Sequence, residues 1–523
     1  MPSSGKPCHN CRRRRLRCDR SFPGCLKCAV TGQECQGYGK IFTWTQTIDV
    51  NGNKAANAPG AKQKSPSRVV TPSSAIVTDP FAPPSASSKD EPTTQVPQAS
   101  TPGSLTDPLF QDLDRNSRYY LAHFADRVCL DLVARDSPAG NPFRELIPLS
   151  KSHPLLLQII IATSAIHWSN IFRPITSIPN GVSDPGGYFA MLRSKDLVSR
   201  QALIDALAAK QKAMGYLREV LGALDPAGSE VTLAAMHFFV KFDLIDINKS
   251  ERHSWKSHLE GASSIMALLT PGTLGSASSR MLRDTVIADC FIYHILGSTL
   301  TSGGLAANIA RYAFELLPVM QRVEVTSYLS CPPGILQVIL AASQLSGDKP
   351  FPDSTLLAAD EALALIDQAL CFDIDGWAAQ LQQIPSVTDI ESRVHIASAH
   401  RSAACLYILQ ALPLVRSVRP VDTDFLVDDI LAHLAAIDPE DPYFKATSWP
   451  TFIAGAETRD AEKRTWALQR LMTIWNRVRW GYIFTAIEML KATWAMQDTG
   501  RGASGGVNWL QDLKGMGFDS LIV

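Results

Sequence analysis

A cysteine-rich stretch near the N-terminus constrains this chain more than any other feature. Six of the eleven cysteines lie within 28 residues, from Cys8 to Cys35, and the intervals between successive cysteines are 2, 6, 6, 2 and 6 residues. The pattern C-x2-C-x6-C therefore occurs twice, first from Cys8 to Cys18 and again from Cys25 to Cys35. Two cysteines separated by two residues bind one zinc ion from a single tight turn. The spacing predicts a metal-ligand set made of two similar lobes.

The number of cysteines indicates how the metal is held. Tetrahedral zinc takes four ligands, and each lobe offers three. Two zinc ions that share two bridging thiolates obtain eight coordination positions from six cysteines, with no histidine and no open position for water. A closed ligand set is typical of a structural zinc site. We therefore expect two Zn²⁺ ions on these six ligands: Cys8, Cys11, Cys18, Cys25, Cys28 and Cys35.

The charge of the chain is zero overall but unevenly distributed. Residues 1–40 contain nine Lys and Arg against two Asp and Glu, a net charge of +7, and the rest of the chain carries −7. The N-terminus is polar and leads directly into cysteines and arginines, without the pattern of a secretory signal. We expect a soluble protein with reduced thiols and a polyanionic partner for the basic arm.

Five arginines and Leu16 fill the interval between Cys11 and Cys18. We expect a short helix there, with Leu16 packed inward and the arginines facing outward. Arginine pairs bidentately with guanine in the major groove and also binds phosphates. The matching interval of the second lobe, Ala29 to Glu34, has no basic residue. The first lobe should therefore be the one that faces double-stranded DNA.

The spacing, the run C-R-R-R-R-L-R-C-D and Pro23 resemble the fungal binuclear zinc cluster transcription factors. The resemblance implies that Cys8 and Cys25 bridge the two metals. It also implies that Arg14 and Arg15 read base edges, usually of a CGG triplet, although members of this family often have lysine at these positions. The neighbouring basic residues are then phosphate contacts: Arg12, Arg13, Arg17, Arg20 and Lys27.

Other interpretations fit these residues less well. A disulfide-stabilised secreted domain would need a signal peptide, and metallothionein-like storage would not need arginines. A RING-like module needs eight ligands, and His9 lies next to Cys8, where it cannot serve a separate site. A nuclear-import role for Arg12 to Arg15 is compatible with DNA binding. The rival from another class is a zinc-stabilised protein-interaction or effector-binding protein without specific DNA readout.

Residues 41–110 should form a disordered linker after a zinc cluster at residues 5–40. The segment from Asp49 to Pro108 contains ten prolines and almost no apolar periodicity. No window keeps the a and d positions of a coiled coil apolar, so a homodimer or heterodimer would have to form elsewhere. The preceding residues Gly37, Tyr38, Gly39 and Trp44 resemble the tail of the family subset similar to acriflavine sensitivity regulators.

Residues 111–523 show helical periodicity almost throughout, and strand patterns are scarce. One apolar stripe runs from Ala213 to Leu224, and another, which we expect on one long helix, includes Trp466 and Trp480. Further helices are predicted at 116–134, 154–172, 189–209, 229–246, 255–270, 280–300, 305–316, 333–345, 354–371, 389–411 and 423–436. The fold class is mainly α, with a large all-α domain built from packed helix pairs.

This all-α domain resembles the fungal-specific regulatory domain at Asn141–Leu149, in the helix that begins at Pro154, and at Trp255–Met266. The resemblance implies a nuclear transcription regulator that responds to effectors or coregulators. The glycines from Gly500 to Gly505 lack the strand and acidic partner of a dinucleotide site, and no other catalytic motif is present, so we expect no enzyme. The apolar run after Pro154 is too interrupted to span a membrane.

Three smaller sets of residues complete the expectations. His253/His258 and His395/His400 are spaced by five, so neither pair suits zinc on one helix face. The segment Trp509 to Val523 either recruits coactivators or docks as a terminal helix. Five scattered cysteines should fill the core: Cys129, Cys290, Cys331, Cys371 and Cys405.

Overall fold

A computed structural model describes residues 7–14, 16–19, 25–31, 35, 110, 112–136, 140–171, 196–222, 229–247, 254–267, 277–301, 305, 313–347, 355–385, 387–499 and 508–523. The chain divides into two compact units, residues 1–97 and residues 98–523. The predicted linker lies outside the described residues except for Phe110. No strand occurs within the described ranges, in agreement with the predicted α class.

The first unit contains two one-turn helices, α1 (His9–Arg13) and α2 (Leu26–Val30). Helix α1 starts immediately after Cys8, whose sulfur accepts the backbone N–H of Cys11 and so caps the helix. The prediction of a helix between Cys11 and Cys18 is therefore wrong in register. The turn that holds the first two cysteines is itself the helix, and it ends before the arginine run is complete.

The second unit is built from helices throughout. Its α-helices are α3 (Arg115–His123), α4 (Cys129–Leu132), α5 (Leu146–Ser150), α6 (Pro154–Ile171), α7 (Leu197–Gly222), α8 (Ser229–Ile245), α9 (Ser254–Met266), α10 (Ala277–Leu300), α11 (Ala313–Val323), α12 (Pro333–Gly347), α13 (Thr355–Leu370), α14 (Ile374–Gln382), α15 (Ile390–Ala411), α16 (Val415–Val418), α17 (Thr423–Ala435), α18 (Ser448–Glu457), α19 (Ala461–Val478), α20 (Tyr482–Thr499) and α21 (Trp509–Gly515). A π-helical turn, Phe124–Val128, joins α3 to α4, and two 3₁₀ turns, Pro142–Glu145 and Phe444–Thr447, precede α5 and α18.

Polar side chains fix the starts of several of these helices. Asp114, Asp373, Asp422 and Asp460 each accept a backbone N–H from the first turn of the helix that follows, and Asn508 does the same for α21. Such caps satisfy N–H groups that the helix itself cannot pair. The caps explain helix starts that apolar periodicity alone did not mark, notably those of α14 and α21.

Helix α6 lies at the centre of the first helical group, against α3, α5, α7 and α8. It is apolar on nearly all faces, and 72% of it is buried inside the fold. By length and composition it is, among the described helices, the one that could cross a membrane, so the prediction that this apolar run is too interrupted to do so is wrong. The same composition is typical of a fully surrounded core helix, and the contacts of α6 give it that position.

Helix α15 organises the second helical group. It packs against α12, α13, α14, α17, α18 and α21, and α18 in turn packs against α19 and α20. One hydrophobic core runs through both groups, so the unit has a shared interior. Trp449 of α18 is fully buried, and its indole N–H donates to the hydroxyl of Thr299 on α10.

The prediction of one long helix containing Trp466 and Trp480 is wrong. Helix α19 ends at Val478, and Arg479 adopts a left-handed conformation with a φ of 58°. The turn is held by Asn170 of α6, whose side-chain amide donates to the carbonyls of Arg479 and Ile245, both at 2.9 Å. The break therefore depends on a contact about 300 residues away in sequence, which periodicity cannot reveal.

Most other helix predictions agree with the structure. The predicted limits of α8, α10, α12, α13, α15 and α17 hold within three residues. The part of the predicted helix 189–209 that starts at Leu197 is continuous with the stripe starting at Ala213, and together they form α7. Asp196 is not helical, and residues 189–195 lie outside the described residues. Four of the five scattered cysteines are buried as expected, whereas Cys371 is exposed because it follows the end of α13 at the surface.

Candidate metal centre and nucleic-acid interface

The six clustered cysteines bring their sulfur atoms together in two overlapping groups of four. One group contains Cys8, Cys11, Cys18 and Cys25, and the other contains Cys8, Cys25, Cys28 and Cys35. Within each group all sulfur atoms lie within 4.8 Å of one another. The two shared members are Cys8 and Cys25, as the family resemblance implied for the bridging ligands. Within the described part of the chain no other group of metal-ligating side chains meets this criterion.

The distances between sulfur atoms suit a tetrahedral metal. The Sγ atom of Cys8 lies 3.5 Å from Sγ of Cys25 and 3.8 Å from Sγ of Cys28, and Sγ of Cys11 lies 3.6 Å from Sγ of Cys25. Four thiolates around zinc, each at about 2.3 Å, lie about 3.8 Å apart. A disulfide would need a separation of about 2 Å. The donor set fits zinc.

Backbone N–H groups stabilise the sulfurs in the same way in both lobes. Each lobe's first cysteine donates its N–H to the sulfur of its third cysteine, and its second cysteine donates to the sulfur of its first. The four bonds are Cys8 to Cys18 at 3.4 Å, Cys25 to Cys35 at 3.3 Å, Cys11 to Cys8 at 3.4 Å and Cys28 to Cys25 at 3.3 Å. Such bonds favour the thiolate form. The repeated sequence pattern is thus a repeated structure.

The sulfur atoms replace a hydrophobic core in this small unit. Cys8, Cys11, Cys25 and Cys28 are its buried cluster, with the two remaining cysteines packed against them. Burial raises the pKa of the Cys8 thiol to about 12 and also raises the pKa values of Cys11 and Cys25. Such thiols stay protonated at neutral pH unless a cation displaces the protons, so binding of a metal and folding are coupled here.

The prediction that Leu16 packs inward is wrong. Its side chain is 42% exposed, and Leu26 and Val30 of the second lobe are more exposed still. The physical reason is that, among the described residues of this unit, the buried cluster is made of cysteines, so Leu16 has no apolar cluster to join. Two exposed leucines and an exposed valine in so small a unit mean that metal ligation, rather than burial of apolar surface, supplies its stability.

Asp19 ties the end of the first lobe to the start of the second. Its carboxylate accepts the backbone N–H of Leu26 at 3.0 Å and of Lys27 at 3.2 Å, so it supplies acceptors at the start of α2. Sequence reasoning noted this aspartate in the motif but gave it no role. The signal was present, because Asp is a preferred helix cap, although the capping residue is seven residues before the helix in sequence.

The predicted DNA-contacting residues are described only in part. Arg12, Arg14, Arg17 and Lys27 are exposed, as expected of side chains that meet a polyanion. Arg13 lies in α1, and its side chain falls outside what the structure describes. Two further predicted contacts, at Arg15 and Arg20, lie outside the described residues.

Two protein families match the chain over most of its length. The fungal Zn(2)-Cys(6) binuclear cluster domain matches residues 6–45, and the fungal specific transcription factor domain matches residues 119–522. The chain belongs to the fungal Zn(2)-Cys(6) transcription factors. This confirms the predicted resemblance, and it makes the clustered cysteines of this factor a zinc-binding, DNA-binding domain.

A known relative extends the same conclusion to the whole chain. The acriflavine sensitivity control protein acr-2 of Neurospora crassa is 33% identical to this chain over an alignment of 605 positions, gaps included. The alignment covers 100% of this chain and 97% of that protein. The similarity to acriflavine sensitivity regulators expected from the tail after Cys35 is thereby confirmed. No solved structure matches this Zn(2)-Cys(6) factor.

The remaining sequence candidates lie in the helical unit and have structural partners. His258 bonds to Asp243 and His395 to His433, whereas the buried His400 bonds to the Ile396 carbonyl. The glycines at 500–505 and His253 fall outside the described residues. Both matched families are transcription factor domains rather than enzyme families.

The C-terminal segment docks against the core. Trp509, Leu521, Ile522 and Val523 are buried, and the Tyr482 hydroxyl donates to the Val523 carbonyl at 2.5 Å. Of the two interpretations of this segment, terminal docking fits these contacts. Most of its apolar side chains are buried in the helical unit, whereas Met516 is exposed.

Proposed function

We propose that this protein is a nuclear, sequence-specific regulator of genes transcribed by RNA polymerase II, and that its first lobe reads CGG-like triplets in the major groove. The observation that carries the proposal is the pair of four-sulfur groups sharing Cys8 and Cys25, in the same small unit as the exposed Arg12, Arg14 and Arg17. A reader at residues 5–40, a tether at 41–110 and a regulatory body at 111–523 complete the arrangement.

Two Zn²⁺ ions are the cofactors in this proposal. Each four-sulfur group would hold one ion, and Cys8 and Cys25, which belong to both groups, would serve as ligands of both. The zinc supplies the positive charge that keeps the buried thiols ionised, and it fixes the positions of the two lobes. Neither group leaves a ligand position to open water, so the role of the metal is structural and no catalysis is assigned to it.

Base reading is assigned to Arg14 and Arg15, because bidentate arginine is the commonest specific contact to guanine. The second lobe supports this division. Thr31 follows Cys28 at the same interval at which Arg14 follows Cys11, and both side chains are exposed. One lobe therefore presents a guanidinium where the other presents a hydroxyl, so the first lobe is the one suited to DNA.

The remaining basic residues hold the phosphates in this proposal. The five are Arg12, Arg13, Arg17, Arg20 and Lys27. Phosphate contacts fix the register of a protein on the duplex and make its affinity depend on salt, but they carry no sequence information. Lys27 lies in α2, in the lobe without an arginine run. Its proposed phosphate contact can therefore be tested separately from the arginines.

The helical body determines which genes are selected, because a single triplet cannot. A triplet is too short to select one gene, so the choice depends on half-site spacing and on partners. We assign to the body the contacts with transcription coregulators and the formation of homodimers or heterodimers. The buried α6 and the transcription factor domain match at residues 119–522 support a soluble regulatory role with no membrane association and no enzymatic activity.

Selection of bound DNA from a random oligonucleotide pool tests this function. The zinc-loaded full chain should enrich CGG-like triplets, and the spacing between enriched triplets reports whether the body imposes a dimer. Arg14→Ala should relax the preference at one base position. Lys27→Ala, its matched control, should weaken all sequences about equally and lower the salt slope by about one.

The rival function is a zinc-stabilised protein-interaction or effector-binding protein. It predicts that the pool shows no enriched motif even though the protein contains zinc. Equal and sequence-independent losses in the two variants would likewise overturn the division between base and phosphate contacts.

A further inference from the structure

A cavity of about 410 Å³ lies in the first helical group, between α7, α8 and α9. Its volume is within the range of sites that hold small organic ligands. None of its lining residues belongs to the zinc cluster, and the proposed DNA-reading function does not use it. A ligand of this cavity would therefore be distinct from both zinc and DNA.

The apolar part of the lining comes from all three helices. Leu207 and Met214 of α7 are half-buried, and Phe242 of α8 and Trp255 of α9 are almost fully buried. The indole N–H of Trp255 donates to the Asp519 carbonyl at 3.4 Å, which holds the ring in place. Two immobilised aromatic rings and two flexible aliphatic chains suit an apolar body of moderate size.

The buried carboxylate in the lining has a partner within the protein on each oxygen. Asp243 is 7% exposed; one oxygen accepts a hydrogen bond from Lys210 Nζ at 2.7 Å, and the other lies 3.1 Å from His258 Nδ1. Burial favours the neutral acid, but the bonds from His258 and the charge of Lys210 outweigh it and lower the pKa of Asp243. Lys210 also lies over the Phe242 ring, 4.4 Å from its centre. Each oxygen of Asp243 is therefore already paired with a cation or an imidazole of the protein.

The cation Arg218, by contrast, is exposed and has no partner among the described residues. It lies one helical turn from Met214 on α7 and lines the same cavity, but it makes no hydrogen bond or ion pair within the described part of the chain. The second acid of the lining, Asp246, is engaged in an interaction of its own. Within the described residues, the unpaired cation of the lining is thus a guanidinium, whose planar fork matches a carboxylate.

We propose that this cavity binds a small organic acid, with its carboxylate on Arg218 and its aromatic or branched apolar body against Phe242, Trp255 and Met214. A ligand at this site bridges three helices of the regulatory body, so it stabilises their present arrangement. The proposal does not depend on DNA reading, because the cavity and the zinc cluster are in separate units.

The test uses the zinc-loaded full chain and three acid probes at millimolar concentration: 3-phenylpropionate, 4-methylpentanoate and indole-3-acetate. Binding is measured by saturation-transfer NMR and by calorimetry. The neutral amide of 3-phenylpropionate and the cation phenethylamine are the matched ligand controls. We expect at least one acid to bind about tenfold more tightly than its amide, the factor typical of one hydrogen-bonded charge.

Three variants locate the site. Arg218→Met should weaken acid binding about tenfold, whereas Arg280→Met, an exposed arginine on α10, should leave it unchanged. Met214→Trp, at a half-buried position, should fill the cavity and block all probes. Circular dichroism checks that each variant keeps its helices.

Four results would overturn the proposal. The first two are that no acid binds the wild-type chain, or that acid and amide bind with equal affinity. The other two are that both arginine variants lose acid affinity equally, or that Met214→Trp binds the probes as the wild type does. DNA selection by the same sample reports separately on the proposed function, so the two can fail independently.

Discussion

The carboxylate of Asp19 accepts the backbone N–H of Leu26 at 3.0 Å and so joins the two lobes of the zinc cluster. Asp19 follows the third cysteine, whereas Leu26 follows the fourth. The contact therefore sets the position of the second lobe relative to the arginine run of the first. A residue outside the set of six cysteines thus helps to orient the two lobes.

Replacing Asp19 should weaken the cluster without removing a zinc ligand. Asp19→Ala leaves the N–H groups of Leu26 and Lys27 without their carboxylate, and loss of such a cap costs about 1 kcal/mol. We expect zinc to be released faster to a chromogenic chelator and DNA affinity to fall. Asp19→Asn should retain most of the stability, because Asn also caps helices well. Identical release rates for Asp19→Ala and wild type would show that the contact is unimportant.

Cysteine replacements should differ according to whether the sulfur is shared. Cys8→Ala removes a donor from both four-sulfur groups, whereas Cys18→Ala removes one from a single group. Native mass spectrometry should therefore find most of the Cys18→Ala chains with one zinc ion, and most of the Cys8→Ala chains with none. The same stoichiometry in both variants would contradict the assignment of Cys8 as a bridging ligand.

The helical body should lose stability as the pH falls below neutrality. Burial lowers the pKa of His123 to about 3 and the pKa values of His294 and His400 to about 4, from an ordinary value of 6.5. Between these values the unfolded chain binds more protons than the folded chain, so stability rises with pH in that window. From pH 7 to pH 5 each histidine should cost about 2 kcal/mol.

Urea unfolding of the body at pH 7 and pH 5 measures this effect. His400→Gln removes one of the three groups and should lower the pH dependence by about one proton. His400 is fully buried with its ring stacked on Trp449, so the variant will also lose some stability at both pH values. The informative quantity is the difference between the two pH values, and an unchanged difference would refute the attribution to His400.

Asn170 should be a critical residue of the body although it belongs to neither proposed site. Its amide bonds to the carbonyls of Ile245 and Arg479 and so connects α6, α8 and the turn before α20. Asn170→Ala should lower the free energy of unfolding by about 2 kcal/mol, since two buried hydrogen bonds are lost. Asn116→Ala, at an exposed position on α3, is the control and should change it by less than about 0.5 kcal/mol. Similar unfolding midpoints for Asn170→Ala and Asn116→Ala would refute the stabilising role of Asn170.

The cysteine cluster was predictable because its chemistry is local. The intervals between Cys8 and Cys35 fix which sulfurs can meet, and counting ligands is sufficient to require sharing. The same stretch misled the prediction for Leu16, because the expectation of an apolar interior does not hold where sulfur fills it. Helix α1 was placed out of register for a related reason, since the cap is a metal ligand, Cys8.

The helices of the body were predictable where apolar periodicity is strong. They were less predictable where contacts between residues distant in sequence determine the ends of a helix. The stripe through α19 continues past Val478 in sequence, but Arg479 turns the chain because Asn170 holds its carbonyl. Helix α14 was missed although Asp373 is a good capping residue. The cavity beside Arg218 could not be foreseen, because it depends on how three helices pack.

The central claim is that metal on the six cysteines creates the DNA reader. The most direct test is a chelator titration of the full chain, with zinc content, binding to a CGG-containing duplex and helical circular dichroism measured on the same samples. We predict that two zinc ions and DNA binding are lost together while the helical signal persists, since the body contains none of these ligands. Specific binding that survives complete removal of zinc would contradict the account.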